Sequence, residues 1–388
     1  MEYYMEKKRN TIRLIAVLCL TALLLTACGT KKQETTEPVP IMTVSATAVS
    51  TPAPTAAPTA APTPAPTAAP VVVTVSDAEA AAPTPIPEAP RSPYAFQPKV
   101  CPVYMEELFG KDMCEAWGNL VDAVMAGEDT FACKDQHTYD WVMGQFPDRC
   151  FPILTELIDY AYDREHSVID GVASFTWLIP PEEAAARIAD FAEQIEGILN
   201  EALEEDYTDL EKALALYLYF SEHYEYDYDT YWKMYDKYVD YTSCYRFFKT
   251  GIGICHEISS AYSYLLAQAG VEATIMMGSD HQWSYVRING QDYHIDPTFV
   301  LSDKGSLSYF MMTDEQREVN GYGKEEYVIT SNYAQDHPHP DYTANDDTFR
   351  PLWDKSFESF SHETHTILCW TESEYGEWTY FEFDYAGY

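Results

Sequence analysis

Apolar positions follow a helical period up to about residue 270 and an alternating one beyond it. Between Tyr104 and Met125, the set Met105, Leu108, Trp117, Leu120, Val121 and Val124 has helical spacing. Val168–Ile179 is rich in β-branched and aromatic residues and predicts a strand. Pro180-Pro181-Glu182-Glu183 then opens a helix, prolines first and acids in the first turn. Its apolar face runs through Ile188, Phe191, Ile195 and Leu199. Thr208-Asp209-Leu210-Glu211 is a capping box before a second helix, Leu210 to about Tyr224. A third helix carries Ile258, Ala261, Tyr262, Leu265, Leu266 and Ala269 on one face and stops at Gly270. Helices first and strands later predict an α+β fold.

The strand-like part is regular enough to give a register. Glu272–Met277 leads to His281–Ile288 and Gln291–Thr298, which flank Asn289-Gly290, a strong hairpin signal. A two-residue turn sets Ile288 opposite Gln291, His294 opposite Tyr285, Trp283 opposite Asp296 and His281 opposite Thr298. His281 and Asp296 become diagonal neighbours on one face, about 7–8 Å apart between backbones, a gap that an imidazole and a carboxylate close. Val286, Ile288, Tyr293 and Ile295 make the other face apolar. One face is expected to be core and the other site. His294 shares the site face and is expected to be an ordinary strand residue.

The first 92 residues follow neither period. Lys7, Lys8, Arg9 and Arg13 precede the apolar run of residues 14–25, which is too short for a spanning helix of about 20 residues. It has the proportions of a secretory signal. Leu25-Thr26-Ala27-Cys28-Gly29 resembles a bacterial lipobox, which implies cleavage before Cys28 and a diacylglycerol on its sulfur. The alternative is an ordinary signal peptide cut near the same small residues. Either way the mature chain is expected outside the cytoplasm. Residues 51–70 contain only Thr, Ala and Pro, seven of them prolines, and read as an extended spacer. The expected organisation is a signal peptide over 1–27, a lipidated cysteine and linker over 28–92, a mainly helical region over 93–204, a core over 205–330 and an extension with β character over 331–388.

Composition narrows the partners. The chain carries 62 acidic and 24 basic side chains, a net charge of −38. Such a polyanion repels nucleic-acid phosphate, so no nucleic acid is expected as a partner. It gains nothing from an anionic leaflet either, so the acyl chains must supply the membrane attachment, at about 0.8 kcal/mol per buried methylene. The ten tyrosines between residues 217 and 245 are read as packing residues rather than as a rim for glycan or peptide. Of nine cysteines, Cys19 leaves with the signal and Cys28 is lipidated. Seven remain, an odd count that implies at least one free thiol. Cys101, Cys114, Cys133, Cys150, Cys244 and Cys369 could form up to three bridges. No metal or other cofactor is expected. His362-Glu363-Thr364-His365 is one residue short of the zincin spacing, and His337-Pro-His339-Pro reads as surface loop.

Gly251-Ile-Gly-Ile-Cys255-His256-Glu257 runs straight into the third helix. Cys255 lies three residues before Ile258 and seven before Tyr262, so its side chain points to the buried face at the helix start. The dipole and unpaired amides there favour negative charge on the sulfur, which suits a nucleophile. Gly-Ile-Cys255 opening a helix, His281-Gln-Trp283 on one strand and Tyr293-His-Ile-Asp296-Pro297-Thr298 on the next resemble the transglutaminase-like superfamily. Asp209-Leu-Glu211-Lys212-Ala213, Tyr226-Asp227 and Tyr309-Phe310-Met311 fit bacterial members, so the resemblance covers about residues 205–315. It implies a papain-like core in which the helix bearing Cys packs on an antiparallel sheet bearing His and Asp. It also implies a Cys255, His281, Asp296 triad acting on amide bonds through a thioester. Trp283 would shield the His–Asp bond, and Tyr226 and Tyr245 are the candidates for the oxyanion donor. Hydrolysis of a peptide or isopeptide amide, in a protein, peptide or cell-wall peptide, is the expected reaction. Glutamine–lysine cross-linking and a non-catalytic surface binding module are the alternatives.

Overall fold

The computed structural model describes residues 93–159, 167–236, 242–329 and 341–388. The signal-like segment, Cys28, the linker and His337-Pro-His339 lie outside the described residues. Helices α1 (Val103–Phe109) and α2 (Lys111–Ala126) replace the single helix expected there. Gly110 divides them at φ +85°, a backbone state that favours glycine, while its N–H still reaches Glu106 O at 2.8 Å. Both halves bury the expected stripe, Met105 and Leu108 on the first, Trp117, Leu120, Val121 and Val124 on the second.

The strand expected over 168–179 is divided as well. Val168–Ile169 and Val172–Ser174 pair around Asp170-Gly171, both at positive φ, and Thr176–Trp177 pairs with Ile158–Asp159. An Asp-Gly turn outweighs the β propensity of its neighbours.

Helices α3 (Pro181–Ala202) and α4 (Asp209–His223) stand where the spacing places them. The capping box closes in both directions: Glu211 N–H donates to Thr208 Oγ1 at 3.3 Å and Thr208 N–H to Glu211 Oε2 at 2.7 Å. The buried Glu211 carboxylate also accepts from the Tyr385 hydroxyl at 2.6 Å and lies 3.0 Å from His362 Nδ1. This N-cap is thus bonded to the C-terminal part of the chain.

After α5 (Cys244–Thr250), α6 (Cys255–Gln268) buries Ile258, Ala261, Tyr262, Leu265 and Leu266 and is followed by Gly270 at φ +84°. It packs on β1 (Glu272–Gly278) and β2 (Gln282–Ile288). With β3 (Gln291–Ile295), α7 (Asp314–Val319) and β4 (Tyr327–Val328) following in the chain, the antiparallel sheet has the order β3-β2-β1-β4. Last come β5 (Ser356–Ser361), β6 (Thr366–Glu372) and β7 (Trp378–Asp384), a separate antiparallel sheet. The whole is α+β. The C-terminal part is bonded to the core, since Leu307 N–H donates to Lys355 O at 2.9 Å and the Trp353 indole to Phe310 O at 3.1 Å.

The hairpin has the expected register, with Asn289 and Gly290 at φ +50° and +74°, Ile288 opposite Gln291 and His294 opposite Tyr285. It is shorter than expected. Pairing ends at Ile295–Ser284, because Pro297 has no N–H to continue the ladder. Pro297 begins instead a turn of helix, Pro297–Val300, with Asp296 as its N-cap.

The face expected to be the site is buried like the face expected to be core. Val286, Tyr293 and Ile295 are buried, and so are Trp283, Tyr285, His294 and Asp296. Arg317 and Tyr322 cover Trp283, at 4.1 and 5.2 Å, and Tyr327 and Tyr342 pack over Trp283 and Tyr285. Alternation along a strand says which side a residue faces; it does not say what roofs that side.

Candidate active site

Two glycines bring the chain to Cys255. Gly251 leaves α5 at φ +74°. Gly253 passes so close to Phe247 that an added Cβ would lie 2.6 Å from its ring, a contact only glycine avoids. Ile252–Gly253 pairs in parallel with Glu225–Tyr226, setting Tyr226 beside Gly253. Buried Glu257 then ties down the helix start, accepting from Ile254 N at 3.1 Å, Ser243 N at 2.9 Å and Arg246 Nη2 at 2.6 Å. Arg246 also reaches Asp227 at 3.0 Å. This clamp fixes the position of the half-buried Cys255 sulfur.

His281 stands just before β2. Its Nε2 is 2.7 Å from Asp296 Oδ2, and Cys255 lies close enough to raise the pKa of the ring. With Nε2 engaged by the carboxylate, Nδ1 is the nitrogen left for the sulfur. The imidazole is packed among Trp283, Phe299 and Tyr322, at centroid distances of 5.8, 5.3 and 5.6 Å. Burial pulls its pKa down, but Asp296 and then Cys255 act more strongly in the other direction, and the net result is a rise to about 9. Asp296 is fully buried and accepts from Arg317 Nη1 at 2.9 Å and Thr298 N at 3.2 Å. Burial raises its pKa; His281 and Arg317 together outweigh that and hold the carboxyl below the usual range. Arg317 is itself fully buried, its guanidinium 4.1 Å from the Trp283 ring and 4.6 Å from that of Tyr322.

The two oxyanion candidates separate. Tyr226 stands opposite Gly253, two residues before Cys255, and burial followed by the charge of the neighbouring cysteine pushes its phenol up. Tyr245 donates its hydroxyl to Asp190 on α3 at 2.7 Å, beside Lys249. Its candidacy is corrected on that ground, because the donor is already engaged by a carboxylate on another element. The expectation for His294 is corrected too. It is fully buried, with Nδ1 accepting from the Trp283 indole at 2.9 Å and Nε2 3.0 Å from Asp314.

Residues 196–309 match the family described as the transglutaminase-like superfamily. The chain carries a transglutaminase-like domain. Among solved structures, it is similar to a TGase at 19% identity over 31% of this chain and 34% of that one, with a TM-score of 0.26. It is also similar to a proposed cysteine protease from Cytophaga hutchinsonii, at 16% identity over 32% of this chain and 37% of that one, with a TM-score of 0.22. The matched stretch thus spans about a third of either structure. No curated protein matches the chain.

Cys255, His281, Asp296, Trp283 and Tyr226 fall inside the transglutaminase-like stretch, whereas Arg317 lies beyond its end. Arg317 and Asp314 are the site neighbours that sequence reasoning missed. In Thr313-Asp314-Glu315-Gln316-Arg317 they look like the acids and cation of any short, solvated helix. Only the fold turns Arg317 inward onto Asp296.

Proposed function

We propose that the transglutaminase-like domain is a cysteine-dependent amide hydrolase with Cys255 as nucleophile, His281 as base and acid, and Asp296 as the group that orients the imidazole. The supporting observation is the ordered series Cys255, His281, Asp296, Arg317, with 2.7 Å between His281 Nε2 and the carboxylate and the other ring nitrogen left for sulfur. A histidine with a pKa near 9 rests as imidazolium at neutral pH, so the proton required by a leaving amine is already in place. The thiolate adds to the amide carbonyl. His281 then gives its proton to the nitrogen as the C–N bond breaks, and the amine departs from a Cys255 thioester. Water surrenders a proton to His281 and its oxygen attacks the thioester, releasing the acid and restoring the thiolate–imidazolium pair. Tyr226, paired with Gly253 beside Cys255, can donate its own proton to the oxyanion. Trp283 keeps water from the His281–Asp296 bond.

The substrate class proposed is a protein, peptide or cell-wall peptide. Water requires no binding site, whereas transfer to an amine requires its exclusion; hydrolysis is therefore preferred to glutamine–lysine cross-linking. The test is to incubate the protein with a peptide and wall-fragment library and weigh the intact chain. An acyl adduct on Cys255 that water discharges supports the hydrolase. An adduct discharged only by added amine supports cross-linking. No adduct, together with iodoacetamide labelling of Cys255 no faster than that of a free peptide cysteine, leaves a binding module and refutes the enzyme. We further propose that the protein works outside the cytoplasm, held by lipid on Cys28. Cys28→Ser should then release it from membranes, and a mutant that still sediments with them refutes the anchor.

A further inference from the structure

Near the start of the described fold lies a cluster of three sulfurs that the proposed reaction does not use. Cys101 precedes α1, Cys114 stands in the first turn of α2, and Cys150 ends the short helix Pro147–Cys150. The sulfurs of Cys101 and Cys114 are 2.8 Å apart. That is closer than unbonded sulfurs settle and within an ångström of the S–S bond length of about 2.05 Å. Cys150 is near enough to contribute to raising the Cys101 pKa. The three differ in access: Cys150 is fully buried, while Cys101 and Cys114 are partly exposed.

We propose that Cys101 and Cys114 form a disulfide, with Cys150 left as a buried thiol behind it. Each of the two thiols gives up a hydrogen. Those two hydrogens, with their electrons, pass to a disulfide oxidant such as glutathione disulfide, which becomes two glutathione thiols as the Cys101–Cys114 bond forms. Access and distance select this pair: one partly exposed sulfur attacks the soluble oxidant and expels a first glutathione thiolate, and the other, 2.8 Å away, displaces the second, whereas Cys150 faces no oxidant. The hydrogen bond to Cys101, and then burial, push the Cys114 thiol up.

What the bridge secures follows from α1. This helix braces the hairpin from outside: the Tyr104 hydroxyl donates to Asp292 at 2.8 Å, Arg287 reaches Glu107 at 2.9 Å, and Val103 N–H donates to Glu272 at 2.7 Å. Gly110, the joint between α1 and α2, is the loosest kind of backbone position. A bond from Cys101 to Cys114 closes a ring around that joint and holds α1 against the hairpin whose strands His281 precedes and Asp296 follows.

The experiment uses the full chain, reduced, then exposed to glutathione disulfide, with remaining thiols capped by iodoacetamide under denaturing conditions before proteolysis without reductant. The expected product is one linked peptide joining Cys101 to Cys114, with Cys150 alkylated. The oxidised form should melt about 5 °C above the reduced form. Cys150→Ala should form the same linked peptide in the same yield. Cys101 joined to Cys150, or both Cys101 and Cys114 recovered alkylated, would overturn the pairing. Equal melting of the oxidised and reduced forms would overturn its stapling role.

Discussion

Two histidine–aspartate pairs lie on the same side of the hairpin, His281 with Asp296 at 2.7 Å and His294 with Asp314 at 3.0 Å. The bonds are nearly the same, yet the pKa of His281 is raised to about 9 whereas that of His294 is lowered. For His294, burial dominates; Asp314 opposes it, and the charge of Arg317 adds to the lowering. The second nitrogen tells the same story. His294 Nδ1 accepts from the Trp283 indole, and an accepting nitrogen carries no proton. His281 has Cys255 beside it, which adds to the rise and so tolerates the proton. A carboxylate partner orients a histidine; what faces the far side of the ring decides whether it is charged.

The largest test of this contrast is to delete each ring. His281→Ala should lower kcat/KM by about 10³-fold or more with the fold retained. Cys255→Ala should abolish thioester formation at a stability cost of about 1–2 kcal/mol. His294→Ala should do the reverse. It leaves the Trp283 N–H and the Asp314 carboxylate without the ring between them, a loss of about 2–4 kcal/mol in denaturant unfolding, with kcat per folded molecule within a few-fold of the parent. An inactive but stable His294→Ala, beside an active His281→Ala, would exchange the two roles.

Arg317 couples the pairs, since its charge stabilises the Asp296 carboxylate and disfavours protonated His294. Arg317→Met should cost about 3–5 kcal/mol, as a buried carboxylate loses its cation. It should also move the acid limb of kcat/KM to higher pH. Arg317→Lys keeps the charge without the flat stacking surface on Trp283 and should recover part of both.

Hydrogen-ion linkage separates the histidines by sign. Because the folded pKa of His281 is raised, its contribution to stability is complete below 6.5 and is lost as pH rises through about 9. The folded pKa of His294 is lowered, so its environment favours the unfolded chain as pH falls below 6.5. Stability measured against pH should therefore flatten on the alkaline side in His281→Ala and on the acid side in His294→Ala. An unchanged profile in either variant would contradict the corresponding shift.

Gly278→Ala is the gentlest probe. Its Cβ would lie 3.1 Å from the Trp283 ring and 3.2 Å from that of Tyr322, tight enough to displace the packing around both pairs. A loss of about 1 kcal/mol is expected, with a shift in tryptophan fluorescence.

Local signals made much of the core legible. The Asn289-Gly290 turn and strict alternation determined which residues face one another, and the spacing from Ile258 to Gly270 placed Cys255 at a helix start. Breaks that depend on one backbone angle were less visible, as at Gly110 and Asp170-Gly171, where apolar periodicity runs straight through. The roof was illegible. Arg317, Tyr322, Tyr327 and Tyr342 come from a stretch without a period, and their common destination over Trp283 and Tyr285 is a tertiary fact. The partners of His294 were hidden for that reason: expected to be an ordinary strand residue, it is held under the roof by Asp314 and Tyr327.

The bonds that cross the edges of residues 196–309 bear on how such a domain can be recombined. Asp296 relies on Arg317, Glu211 on Tyr385, and the hairpin on Tyr104 and Glu107. A gene fragment trimmed to the edges of that match would encode the Asp296 carboxylate without its counter-ion and a helix cap without its hydroxyl. The transplantable cassette is the longer span from the first described residues to the chain's last tyrosines. Fusions or swaps between relatives should place their junctions ahead of residue 93, not at 196 or 309.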